Sequence, residues 1–184
     1  MKNNKLDYYI FIEEINEIII QNIISLKRKK LKLNIIISIK NSEEIVKFAK
    51  ENQLPLFVID DVKYAIKNDA SGVFLTSKNK CLRNNIKETT KLIVIGSAHN
   101  QFEYYLKQKQ NCTTIMLSPI FYNNKYSNHK ILNQIKFNLI TLNWKTKICA
   151  LGGISYKNIM LINLTKSTSI GVKSFITKKK PVHN

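Results

Sequence analysis

The chain is poor in the residues that build special-purpose scaffolds: its 184 residues include three cysteines, three prolines, five glycines and one tryptophan. Cys81, Cys112 and Cys149 form no C-x-x-C pair, so neither a disulfide framework nor a zinc module organises the fold. They read as reduced cysteines of a cytoplasmic protein. No apolar run reaches the ~18 residues of a membrane span. The N-terminal stretch "MKNNKLDYYIFIEE" starts basic but meets acids before a secretory core can form. Linkers and low-complexity segments are missing too, so residues 1–184 read as a single domain, long enough for a real core. Arginine is nearly absent, at Arg28 and Arg83 only, and acids number 12 against 30 bases, a net charge of +18. Isoleucine, lysine and asparagine supply 79 residues, so the basicity is a scatter of lysines more than a designed patch. Without arginine forks, stacking aromatics or a groove-reading helix, nucleic acid is not an expected partner, and neither is a membrane. Residues 27–30 and 178–180 are the true basic clusters.

What is present is rhythm. Short β-branched runs at Tyr8–Glu13, Asn34–Lys40, Leu56–Asp60, Gly72–Leu75, Leu92–Gly96, Thr114–Pro119, Ile148–Gly152 and Ser169–Ser174 predict eight strands. Between them lie seven helix candidates, at 13–29, 42–53, 61–69, 82–90, 100–110, 131–144 and 155–165. The first carries acids early and bases late, as the helix dipole favours, and Ser42 is placed to cap the second. Eight strands alternating with helices predict a compact (β/α)8 TIM barrel in preference to a doubly wound sheet. Few residues follow the eighth strand, so its helix is expected to be truncated or missing.

Such barrels place their ligand sites at the C-terminal ends of the strands. The residues just beyond each apolar run are Lys40 and Asn41; Asp60 and Asp61; Thr76 to Asn79; Ser97 and His99; Ser118 to Lys125; Gly152 and Gly153; Lys173 and Ser174. The Gly152–Gly153 pair, costly inside an element, needs a backbone reason. One reason is a tight turn. The other is a phosphate received by bare N–H groups of the loops after strands seven and eight, with Lys173 as a nearby cation.

Four blocks then fall in register: "PLFVIDDVKYAIKNDASGVFL" (55–75), "VIGSAHNQFE" (94–103), "SPIFYNNK" (118–125) and "ALGGISYKN" (150–158). Together they make the chain resemble the thiamine-phosphate synthase/TenI family over most of its length from about residue 34. The resemblance implies a TIM barrel that binds thiazole phosphate at the Gly-Gly loop. In the synthases a hydroxymethylpyrimidine pyrophosphate is joined to it with Mg²⁺ and pyrophosphate leaves, a reaction that asks for charge neutralisation and no protein nucleophile. The resemblance carries Lys40 and Lys125 onto catalytic lysines, and Ser97 onto a pyrophosphate contact. It carries Asp61 onto a metal ligand, and Gly152 and Gly153 onto the phosphate loop. Ser118, Lys173 and Ser174 join the expected substrate-binding set from their rim positions.

Several positions depart from the family pattern. Ile36 and Ser38 stand where glutamine and arginine belong, Phe74 replaces a histidine, and Asn79 occupies the place of a second metal aspartate. Asp60, in place of an asparagine, offers a substitute for that lost charge. Losing two charge-assisted contacts at about 1.5–3 kcal/mol each would slow turnover ~10²–10⁴-fold. The phosphate half of the site therefore reads as intact and the pyrophosphate half as eroded. Two alternatives follow: a TenI-type thiazole tautomerase with His99 as acid and base, or a non-catalytic phosphate-ester binder. His99 also admits a plain structural role next to the helix at 100–110. A homodimer is compatible with a short eighth helix, and the sequence leaves it open.

Overall fold

The apolar runs become eight parallel strands: β1 (Asp7–Ile12), β2 (Leu33–Ile37), β3 (Leu56–Ile59), β4 (Gly72–Leu75), β5 (Ile93–Ala98), β6 (Thr114–Leu117), β7 (Lys147–Leu151) and β8 (Ser169–Val172). Each pairs with its neighbour in sequence, and β8 returns to β1 with Asp7 opposite Ser169 and Ile10 opposite Val172, closing the barrel. The computed structural model describes residues 6–40, 42–82, 86, 90–123, 130–173 and 176. All eight expected strands are present. Several stop short of their expected C-terminal limits, which leaves Lys40, Ser118, Pro119, Gly152 and Lys173 to the rim.

The described helices are α1 (Glu17–Arg28), α2 (Glu43–Glu51), α3 (Val62–Lys67), α4 (Gln101–Lys109), α5 (Asn133–Ile140) and a 3₁₀ helix, η1 (Ile159–Leu164). Most of the helix candidate at 82–90 lies outside the described residues, as does the segment after β8 where a truncated eighth helix was expected. Side chains set three of the helix starts. Asn16 Oδ1 accepts from Ile19 N at 3.0 Å, so α1 begins after the acids at 13 and 14. Asp61 Oδ1 accepts from Tyr64 N at 2.6 Å, and Asn100 Oδ1 from Glu103 N at 2.9 Å. Ser42 does not cap α2: its hydroxyl donates to Ile39 O and hydrogen-bonds the Tyr64 hydroxyl, joining the β2 loop to α3 instead. Within the 155–165 segment only Ile159–Leu164 are helical, and they form a 3₁₀ helix rather than an α-helix; before it, Asn158 Oδ1 accepts from Ser155 N and its Nδ2 donates to Gly153 O.

Two apolar layers result from the strand period of two. Outward-facing residues such as Ile10, Ile35, Val58, Val94 and Ile115 pack under the helices. Inward-facing Tyr9, Ile36, Phe57, Phe74, Ile95, Met116 and Cys149 fill the barrel interior, with Phe11, Ile59 and Leu151 partly buried on top of them. Tyr9 meets Phe57 edge-on at 5.9 Å, and Phe11 meets Phe74 at 5.4 Å. The lumen is thus an aromatic and aliphatic plug, and any ligand must sit on it at the C-terminal rim. Around the outside, Trp144 stacks on Tyr104 at 3.9 Å and donates to Gln101 Oε1, so it serves as packing. Among the described residues no helix is long and apolar enough to cross a membrane.

Candidate functional site

The rim divides into two arcs. The first follows the ends of β5, β6 and β7. Ser97 and Ser118 are both buried, and Ser118 N bonds to Ala98 O at 3.2 Å, so the two serines stand on adjacent strand ends. His99 lies just past β5. Its Nδ1 is 2.9 Å from the Ser118 carbonyl and 3.1 Å from the Ser118 hydroxyl. A carbonyl can only accept, so in this contact Nδ1 carries the hydrogen and donates it to Ser118 O. The His99 ring does not cap α4, a task performed by Asn100; its backbone N–H instead donates to Glu103 Oε2 at 2.7 Å.

Gly152 and Gly153 close this arc with φ of +93° and +70°, a left-handed turn that side chains disfavour. The loop also runs hard against the one after β6. Phe121 N donates to Gly152 O at 3.1 Å, and a Cβ on Gly153 would strike the Tyr122 carbonyl and come within 2.5 Å of the Phe121 carbonyl. The glycine pair therefore has a steric reason in the close approach of two rim loops. Successive amides in such a turn also form the concave donor surface that suits an anion. Lys173, just beyond β8, the strand next to β7, is paired at 2.5 Å with Glu13 beyond β1; both side chains are well exposed. Lys125 and Ser174 lie outside the described residues, as do His129 and His183.

The second arc follows β2, β3 and β4. Lys40 is exposed beyond β2. Asp60 ends β3 in a left-handed conformation, φ +53°, which turns its carboxylate toward the β4 loop. Thr76 N and Thr76 Oγ1 donate to it at 3.0 and 2.6 Å, and Asn79 Nδ2 at 2.9 Å. Asp61 stands next to it as the cap of α3. Asn79 is thus brought to Asp60, with its amide oxygen already accepting from Cys81 N at 3.2 Å and from Gln110 Nε2 at 3.3 Å.

Beneath this loop lies a residue that the sequence reading passed over. Lys107, on α4, has no exposed surface. Its ammonium donates to Thr76 O, Asn79 O and Gln110 Oε1 at 2.6, 2.8 and 2.8 Å. Burial pushes its pKa below the usual lysine value, an effect opposed by Cys112, Asp60 and Glu103 nearby. The signal was legible in retrospect. Tyr104 and Lys107 on the buried face of α4, and Gln110 at its C-cap, recur at helical spacing, where a lysine must find internal partners.

Magnesium is the ion that the resemblance implies. It is commonly held by one or two carboxylates, with substrate phosphates and water completing the shell. Asp60 and Asp61 offer two adjacent carboxylates at the rim, whereas Asn79 presents its NH₂ group to Asp60 and not a free lone pair. Among the described residues no group of three or more His, Cys, Asp or Glu could hold a metal. The donors present fit an ion that arrives with a phosphorylated substrate, not one caged by protein alone.

Comparison with known proteins narrows the chemistry. The family model described as thiamine monophosphate synthase matches residues 10–176. A thiamine-phosphate synthase of Mannheimia succiniciproducens is 23% identical over 143 residues, 76% of this chain and 65% of that protein, so the match spans just under two thirds of the relative. The solved thiamine phosphate pyrophosphorylase from Pyrococcus furiosus superposes with a TM-score of 0.70 at 22% identity, over 93% of this chain and 87% of that one. A KDPG aldolase from Legionella pneumophila reaches 0.66 at 12% identity, over 96% and 86% respectively. At such identities the structural likeness shows a shared barrel and nothing finer.

Proposed function

The chain belongs to the thiamine monophosphate synthase family, and on that premise we propose that it acts in thiamine biosynthesis, joining a hydroxymethylpyrimidine pyrophosphate to a thiazole phosphate with release of pyrophosphate. The observation that carries this reading is the reach of the family match, which begins in β1 and runs past β8, taking in all of the rim between them.

In this reading the thiazole phosphate lies on the β5–β7 arc. The Gly152–Gly153 turn receives its phosphate, with Ser118 from the β6 end and Lys173 from beyond β8, and the substrate-binding role of Ser174 stays an expectation from its sequence position. The pyrimidine pyrophosphate lies toward the β2–β4 arc, its negative charge met by Lys40, Lys125 and the Ser97 hydroxyl. Asp61 and Asp60 would hold the Mg²⁺ that arrives with the pyrophosphate, and the ion would supply the charge neutralisation that makes pyrophosphate a good leaving group. The pyrimidine centre becomes cation-like as the carbon–oxygen bond breaks, and it must be kept from water until the thiazole captures it. Phe11, Ile59, Phe74 and Leu151 form the dry floor that does this.

The test is turnover by the purified full chain with both substrates and Mg²⁺, thiamine phosphate being read by fluorescence after oxidation. Product that disappears with a chelator is the expected result. A second reading draws on the His99–Ser118 pair, in which the imidazole is oriented at the rim by the Ser118 carbonyl and hydroxyl, and makes His99 the acid and base of a thiazole tautomerase. Absence of product from a chain that still binds thiazole phosphate overturns the synthase reading. Tautomerisation lost in His99→Ala would then favour the second one, and binding alone a non-catalytic role.

A further inference from the structure

We propose that Lys107 is a positioning residue for the β2–β4 arc: a buried internal cation that holds the β4 loop from beneath and, through it, orients Asp60. The inference rests on the reading of that arc as the pyrophosphate half of the site. It comes from a network that no rim position suggested. Each of the three ammonium protons of Lys107 has an acceptor, and two of these are the carbonyls of Thr76 and Asn79. The same two residues grip the Asp60 carboxylate through Thr76 N, Thr76 Oγ1 and Asn79 Nδ2. Gln110 completes the clamp. It accepts from Lys107, and its Nε2 donates to Asn79 O at 3.1 Å and Cys81 O at 2.9 Å.

One ammonium on α4 and one amide at its C-cap therefore serve the carbonyls of residues 76, 79 and 81, and Asp60 is one hydrogen bond further out. The fold makes room for this. A Cβ on Gly96 would come within 2.8 Å of Lys107 Cδ, so the lysine stem passes over β5 at a position that only glycine leaves open. A buried lysine is an expensive filler for a helix–barrel interface, where a methionine would pack as well without needing partners. Its position under the loop that bears Asn79 supplies the reason for keeping it: the β3 and β4 loops are joined in fixed register by protein groups alone.

Lys107→Met in the full chain removes the three donors at nearly constant length. Hydrogen exchange followed by mass spectrometry should show the amides of 76–81 exchanging about tenfold faster or more, while those of 114–120 and 148–154 stay as in the parent chain. In turnover, KM for the pyrimidine pyrophosphate should rise about tenfold, with kcat and KM for thiazole phosphate within about twofold. Unchanged exchange at 76–81 in a folded variant, or equal losses for both substrates, would overturn the proposal. If Lys107→Met does not fold, Gln110→Leu keeps the ammonium but takes away one of its three acceptors and the amide's own bonds to Asn79 and Cys81, and the same exchange readout decides. A parent chain without turnover would sink the synthase reading and leave the exchange result to judge Lys107 by itself.

Discussion

The two arcs of the rim are built in different ways. On the β5–β7 arc the groups are strand ends and backbone: buried serines on neighbouring strands, a histidine held by one of their carbonyls, and a glycine turn pressed against the next loop. Their placement follows from barrel register, which many residues enforce together. On the β2–β4 arc the placement is done by side chains, with Asp60, Thr76, Asn79, Gln110 and Lys107 forming one connected cluster. The departures from the family pattern at residues 36, 38, 74 and 79 all fall on this second arc. Ile36 and Phe74 are buried in the lumen plug, where they have gained packing in exchange for polar reach. An arc set by register tolerates little change, because each loop is the wall of its neighbour. An arc set by side chains can be rebuilt one residue at a time.

Thiol chemistry gives the sharpest contrast. Cys81 is exposed on the β4 loop, whereas Cys112 and Cys149 are buried, and burial pushes both thiols up to about 12. At pH 8 a disulfide reagent should label Cys81 at least ~100-fold faster than the other two, which should react only on unfolding. Three thiols of equal rate would mean that the region under β5 and β7 opens readily. The same two cysteines set a sign for alkaline stability. Their protonated forms are favoured in the fold, so that contribution is whole below pH 9 and is lost as the pH climbs from 9 toward 12.

Next in size is the glycine turn. Gly153→Val must move the β6 loop backbone and adopt a positive φ, at a cost of about 3 kcal/mol or more, roughly 6–12 °C in melting temperature. Thiazole phosphate binding measured by calorimetry should be lost with it. A variant that melts and binds like the parent would show that the β5–β7 arc is not set by close approach.

Asp61 separates two roles in the other arc. Asp61→Ala removes the α3 cap, which is worth about 0.5–2 kcal/mol, together with the carboxylate. Asp61→Asn keeps a capping oxygen and loses only the charge. Both should lower Mg²⁺-dependent turnover, and only the first should lower the melting temperature. Equal melting temperatures would count against the cap. Smallest of all is the Lys173–Glu13 pair: with both side chains exposed at 45% and 70%, Glu13→Gln should change stability by less than about 1 kcal/mol in a denaturant titration. A larger change would show that β8 and β1 need this pair to stay closed.

Much of this molecule was legible in the order of its residues. Eight β-branched runs set apart by amphipathic stretches are a local signal, since strand and helix periods are written in neighbours. The caps at Asn16, Asp61 and Asn100 also act over three residues, although Ser42 alone was expected as a cap, and a glycine pair in a tight turn is a local signal of the same kind. The same order marked the rim positions once a barrel was assumed. Tertiary structure decided the rest, because those contacts join residues far apart in the chain. It put the Ser42 hydroxyl on Tyr64 in place of a cap, turned Asn79 onto Asp60, and gave the glycine turn a wall in the β6 loop. It also buried Lys107 about thirty residues from the carbonyls it holds. No local pattern encodes which carbonyls a buried ammonium will find, since that depends on how the closed barrel brings α4 beneath the loop of another strand.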